Sequence, residues 1–175
     1  MSTDALAVLE EYLKNQQNPK RRVAKIKMKR GDKHEEISIT YEVEHSKAKN
    51  GWFSSTFTCN EEARNELYDL LDQTLSILVE TVGLDEKKWK PGKVIGLSIK
   101  PESEEGPGIT ITGKCEVEIA DGKSYACPTS PYIIAKEGTA DLIREIEKEA
   151  LKYIDGQRRQ TNLLDGLDND DDIPI

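Results

Sequence analysis

Few reactive side chains in this sequence are spaced for catalysis. His34 and His45 are its two histidines, the first in a predicted turn and the second in a Lys-rich loop, and neither sits in an HExxH, HxH or Cys/His pattern. Cys59, Cys115 and Cys127 lie far apart and are odd in number, so they offer neither a CxxC metal knuckle nor a disulfide framework. Gly106-Pro107-Gly108 followed by Gly113 lacks the strand-to-helix setting of a dinucleotide fingerprint, and no P-loop occurs. Asp168, Asp170 and Asp172 match the start of a calcium loop, but Ile173 stands where its glycine belongs. The expectation is a non-enzymatic protein with no metal and no cofactor.

Binding chemistry is better represented. Residues 20–33 hold eight bases (Lys20, Arg21, Arg22, Lys25, Lys27, Lys29, Arg30 and Lys33) against Asp32, a local charge of +7. Within them Lys25, Lys27 and Lys29 alternate with Ala24, Ile26 and Met28, which puts the lysines on one side of a half-buried strand. Strand rise separates such ammonium groups by ~6.5–7 Å, close to the phosphate spacing of an extended single strand. Arg21, Arg22 and Arg30 extend the patch. Trp52 falls among Ser54, Thr56 and Thr58, and Trp89 lies in a second basic stretch with Lys87, Lys88, Lys90 and Lys93. Aromatics among bases are the composition of a base-stacking surface, each stack worth ~1–3 kcal/mol. The competing explanations are ordinary: lysine alternation also keeps an exposed edge strand soluble, and each tryptophan can close one end of a core.

The elements that would position these residues follow from periodicity. Residues 5–14 carry Leu6, Leu9 and Leu13 at helical spacing, which predicts a short N-terminal helix. Residues 23–30 and 37–43 form a predicted hairpin around a turn at 31–34. Its register pairs Met28 with Ile37, Ile26 with Ile39 and Ala24 with Tyr41, and on the other face Lys29 with Glu36, Lys27 with Ser38 and Lys25 with Thr40. A third strand covers 52–58, with Phe53 and Phe57 assigned to the core. Asn60 is expected to cap a helix running to Val82, its stripe formed by Leu67, Leu70, Leu71, Leu75, Leu78 and Val82, and Gly83 to stop it. Residues 87–93 read as a loop, 94–99 as a strand, 101–108 as a loop and 109–119 as a long strand. Asp121-Gly122 is a hairpin signal returning the chain through 124–127. Residues 139–154 close the domain as a helix.

The fold class expected is α+β: an antiparallel sheet of five to six strands, two main helices and the short N-terminal helix. Three strands, a helix and two more strands is also the order of an OB-fold, and the same order reads equally as two repeated strand–strand–strand–helix units. Residues 1–156 would form one domain and 157–175 a disordered acidic tail.

Length and charge set the outer bounds. The chain has 175 residues and a net charge of −8, of which the five aspartates of residues 165–175 supply −5 and the rest only −3. Overall acidity therefore does not argue against nucleic acid. No apolar run approaches the ~18–20 residues that span a bilayer, and no signal pattern opens the chain. With unpaired cysteines as well, a soluble protein of the cytoplasm is expected, the host cytoplasm if the gene is phage-borne.

The end of the sequence is its most specific segment. Asp168-Asn169-Asp170-Asp171-Asp172-Ile173-Pro174-Ile175 closes the chain. It resembles the acidic tip of bacterial single-stranded DNA-binding proteins, where an aspartate run precedes Ile-Pro-Phe. The resemblance covers about eight residues, and Ile175 replaces the terminal phenylalanine. It implies that Asp168, Asp170, Asp171, Asp172, Ile173, Pro174 and Ile175 recruit replication and repair enzymes, the acids steering the peptide to a basic surface and the last residues entering an apolar pocket. Loss of the terminal ring implies weaker or reselected partners. Residues 149–160 and the plan before them are similar to small uncharacterised phage proteins that accompany recombination and replication genes. The function expected is a single-stranded DNA-binding protein of phage type acting in replication or recombination. Arg21, Arg22, Lys25, Lys27, Lys29, Arg30, Trp52, Lys87, Lys88, Trp89 and Lys90 would hold the nucleic acid, with self-association left open. The rival expectation is an adaptor or decoy that carries the tip without binding DNA.

Overall fold

Strict alternation in the first sixty residues builds one half of the molecule. In the computed structural model, which describes residues 19–30, 35–48, 50–85, 89–103, 106–119 and 122–158, β1 (Arg21–Arg30) pairs antiparallel with β2 (Glu35–Glu44), and β2 with β3 (Trp52–Cys59). The predicted register holds from Lys25 to Lys29: Met28 lies opposite Ile37, Ile26 opposite Ile39, Lys27 opposite Ser38 and Lys25 opposite Thr40. It breaks at Ala24. A bulge between Val23 and Lys25 places Val23, not Ala24, opposite Tyr41, and Val23 is the buried residue. Pairing with β2 continues past the bulge to Arg21, and on its other side the Val23 amide donates to Glu147 Oε1 at 3.0 Å.

The chain then leaves the sheet. α1 (Asn65–Gln73) and α2 (Leu75–Val82) form one helix bent at Thr74, whose buried hydroxyl donates back to the Leu71 carbonyl at 2.7 Å. The N-cap is Arg64 and not the expected Asn60. Residues 60–64 instead carry the chain off the edge strand, with the Glu61 carbonyl accepting from Tyr153 Oη and the Ala63 amide donating to Tyr68 Oη. Leu67, Leu71, Leu75 and Leu78 are buried as the stripe predicts, whereas Val82, in the last turn, is exposed. Gly83 ends the helix in the left-handed region, φ 67°, where glycine carries no Cβ penalty.

The second half repeats the plan. β4 (Trp89–Ser103), β5 (Gly106–Ile119), β6 (Gly122–Ala126) and β7 (Ile133–Ile134) lead into α3 (Glu137–Ile154). Trp89–Lys93 and residues 101–103, expected as loops, belong to β4, and the β4–β5 hairpin is tight, with Ser103 opposite Gly106. Seven strands thus occur among the described residues, more than the five to six expected. The excess lies in the last lane, where β6, a one-residue bridge from Thr129 to Thr112 and β7 run in turn along β5. Pro128 and Pro131 interrupt that lane because proline cannot donate to a ladder.

The strand order is β3-β2-β1-β4-β5-β6, all antiparallel. Among the described residues β3 and the last lane do not pair, so the sheet stays open and does not close into the barrel of an OB-fold. The order instead matches two strand–strand–strand–helix units meeting at β1 and β4, related by a pseudo-two-fold axis perpendicular to the sheet. Ile26 opposite Leu97 marks the axis. Each helix covers the other unit: α1 packs on β4, α2 on β4 and β5, and α3 on β1. Between this layer and the sheet lies one core, which includes Ile26, Ile39, Leu97 and Ile111 from the strands and Leu71, Leu78, Ile146 and Tyr153 from the helices. Burial pushes the Tyr153 phenol well above its ordinary range. The expected N-terminal helix at 5–14, the turn at 31–34 and the tail from residue 159 lie outside the described residues. Gln157 and Arg158 are described. The Arg158 guanidinium meets Glu61 at 2.8 Å and lies over the rings of Phe57 and Tyr153.

Replacing Glu147 with leucine should leave the Val23 amide without its acceptor and cost about 1–3 kcal/mol. Glutamine, which keeps a carbonyl oxygen, should recover most of the loss in urea denaturation. At the other end of α3, the Arg21 guanidinium donates twice to Asp155, at 2.7 Å each, and holds that carboxyl below its usual range. A depressed carboxylate stabilises the fold above its unfolded pKa and loses that contribution as pH falls through the folded value. The thermal midpoint of D155N should therefore lie below the parent's at pH 7 and converge on it in acid.

Candidate nucleic-acid interface

Both helices pack on one face of the sheet, so the side chains of opposite parity look outward. Directly paired residues of an antiparallel ladder share a face, and the register therefore assembles this surface row by row. One row runs Thr56, Thr40, Lys25, Ser98, Thr110 across β3, β2, β1, β4 and β5. The next runs Thr58, Ser38, Lys27, Gly96, Thr112 and ends at Thr129. At ~4.8 Å per lane the longer row spans ~24 Å. Hydroxyls bond across it, Ser38 to Thr58 at 3.0 Å, Thr40 to Thr56 at 3.1 Å and Thr112 to Thr129 at 3.0 Å. A groove of about 650 Å³ follows the middle of the face, lined by Lys25, Lys27, Ser38, Ser98, Thr110 and Thr112 among others.

The lysines of β1 are exposed on this surface. Lys29 is neutralised by Glu36 at 2.7 Å, the pairing that the register predicts. Lys25 and Lys27 make no ion pair among the described residues. They stand in the centre of the face with hydroxyls on both sides, an arrangement that neutralises phosphate while the hydroxyls supply neutral donors and acceptors.

Aromatic side chains with a cation against them surround the groove. Trp52, half-buried on β3, lies under the Arg22 guanidinium at 3.9 Å, and Arg22 in turn donates to Glu42 at 2.6 Å. Tyr125 of β6 is 64% exposed, with Lys114 Nζ 4.8 Å from its ring centre. Tyr132 is 44% exposed and lies across the backbone of Gly108, with Lys100 Nζ at 4.5 Å. A Cβ at Gly108 would fall 1.8 Å from the Tyr132 oxygen, so the ring can lie flat there only over glycine. These tyrosines and their lysines were not singled out in the sequence. The period-2 signal that could have found part of the set is present, since Thr110, Thr112 and Lys114 alternate with Ile109 and Ile111.

The structure divides the basic residues proposed from sequence. Arg22, Lys25, Lys27, Lys29 and Trp52 share the outward face. Lys90 joins it at the far end, opposite Glu116, where Lys123 also approaches at 2.7 Å. Arg21 turns to the helix side, where it bonds Asp155. Trp89 lies opposite Val117, on the helix side by register, so the two tryptophans do not act on one surface. The Arg30 backbone lies opposite Glu35. Lys87, Lys88 and the tip residues Asp168, Asp170, Asp171, Asp172, Ile173, Pro174 and Ile175 lie outside the described residues. Phe53, expected in the core, is 52% exposed because it sits near the start of an edge strand, four residues from the Phe57–Tyr153 contact that marks the limit of the helix layer. Among the described residues no three His, Cys, Asp or Glu side chains converge, and no helix is long and apolar enough to cross a membrane.

The Gly108→Ala variant tests the contact of Tyr132 with Gly108 without removing any side chain of the face. It should lift Tyr132 from the sheet and separate it from Lys100, seen as increased quenching of tyrosine fluorescence by acrylamide with the far-UV spectrum unchanged.

Comparison with known proteins adds no relative to this picture: no family model, no curated protein and no solved structure matches the chain.

Proposed function

We propose that the outward face of the sheet binds single-stranded DNA, that the protein is not an enzyme, and that it acts in replication or recombination in the manner of a phage single-stranded DNA-binding protein. The observation that carries this reading is the pair of continuous rows centred on Lys25 and Lys27, two exposed cations that have no acidic partner among the described residues and stand in a field of hydroxyls. Phosphates passing over the rows meet Lys25 and Lys27 first, then Lys100 and Lys114 toward the rim. Tyr125, Tyr132 and Trp52 offer ring surface at that rim, so bases can stack there while the backbone follows the centre. An open antiparallel face suits a single strand, whose bases are free to splay, better than a rigid duplex. The aspartates and the Ile-Pro-Ile end of the chain would then recruit partner enzymes to the coated strand, and removal of residues 168–175 should leave binding by the body intact.

The measurement is fluorescence anisotropy of a labelled oligonucleotide against salt. Four phosphate contacts on a single strand give a slope of about −3 in log K against log salt, and the Lys25→Ala, Lys27→Ala double variant should flatten it by about 1.4. Absence of salt-sensitive binding by the folded protein at low salt overturns the reading. Deleting residues 168–175 should preserve or raise DNA affinity and abolish capture of partner enzymes.

A further inference from the structure

The two edges of the sheet are built differently. The last lane carries Lys123 and is broken at Pro128 and Pro131, and lysine and proline are two of the means by which proteins keep an edge from recruiting another strand. β3 has neither. Its sequence, Trp52-Phe53-Ser54-Ser55-Thr56-Phe57-Thr58-Cys59, holds no charge and no proline, whereas β1, β2, β4, β5 and β6 all carry charged residues. All eight of its residues are in register with β2, without a bulge, and its other side has no partner strand among the described residues. A regular eight-residue edge without such protection is suited to pairing.

We infer that the occupant of this edge is β3 of a second copy of the chain, antiparallel about a two-fold axis. In such a contact every side chain meets one from the same strand, so a charge on the axis would oppose itself and a charge off it would be brought into the seam twice. The absence of charge on β3 removes that penalty, and the self-complementary order of its residues selects a register. Directly opposite residues must share a face, which allows Ser55 or Thr56 on the axis. With Ser55 opposite itself, Phe53 pairs with the partner's Phe57 twice, Ser54 with the partner's Thr56, and Trp52 with the partner's Thr58. That register covers Phe53, which is 52% exposed in the single chain and meets the His45 ring at 5.1 Å. With Thr56 on the axis Phe53 would meet Cys59, and the aromatic pairing would be lost. The axis stands perpendicular to the sheet, like the one between β1 and β4, so the lysine and hydroxyl faces of both copies look the same way. This inference does not depend on what that face binds.

Sedimentation equilibrium of the full chain at tens of micromolar should give twice the 19.7 kDa chain mass. Ser55→Lys should return it to a single chain with unchanged circular dichroism, and Ser124→Lys on the opposite edge should leave the dimer intact. In a background with Cys59 and Cys127 replaced by serine, Ser55→Cys should cross-link to near completion under mild oxidation, and Phe53→Cys should not. A parent chain that sediments as a monomer, including one whose residues 1–18 occupy the edge, overturns the inference. So does a dimer that survives Ser55→Lys, or cross-linking that is no faster at Ser55 than at Phe53.

Discussion

Three residue pairs, Lys25 with Ser98, Ile26 with Leu97 and Lys27 with Gly96, join the halves of the sheet, and the rest of the molecule is arranged around how little backbone that leaves to connect them. A ladder this short contributes few hydrogen bonds. The halves are held by the helix layer, because α1 and α2 reach over β4 and β5 while α3 reaches over β1. The core therefore cannot be divided between the units without stripping each of its cover. The bulge at Val23 serves the same end. By ending the β1–β4 pairing early it frees an amide for Glu147, tying the start of β1 to the middle of α3. Arg21 and Asp155 repeat that tie at the helix end, and Arg158 beyond it holds Glu61 at the exit of β3.

With the helices committed to one side, the other face of the sheet is left to water. Antiparallel sheets solve this by alternation, but the two halves use different residues. The first presents Lys25 and Lys27, and the second presents Gly96 and Ser98 where the pseudo-symmetry would allow the same charges. Duplicating the lysines would bring like charges across the β1–β4 seam at lane spacing, where they would repel. Placing the central charges on one strand and hydroxyls on its neighbours gives a surface that is positive at its centre and has enough hydrogen bonding of its own to stay ordered.

Periodicity made much of this legible. The hairpin register of β1 and β2, the stripe of α1 and α2, and α3 are local patterns whose spacing survives folding. What it did not reveal depends on contacts across the fold. Nothing near Ala24 announces a bulge, since the amide it frees finds its partner on a helix more than a hundred residues later. The N-cap moved to Arg64 because residues 60–64 must first leave an edge strand and meet Tyr153. β7 is two residues long, too short for a period, and Pro128 and Pro131 disguised its lane as a loop. The tyrosine surfaces were hidden differently: Tyr132 acquires its position from Gly108, and two residues that far apart show no spacing signal.

The broken last lane decides more than the local path of the chain. A strand added there would find no donor at Pro131, and would meet Lys123 as well. Extension of the sheet can therefore proceed from the β3 side alone. Two molecules joined through that side present only proline-interrupted borders to their surroundings, so the geometry that permits one union forbids a second, and association ends in a closed pair instead of a fibre.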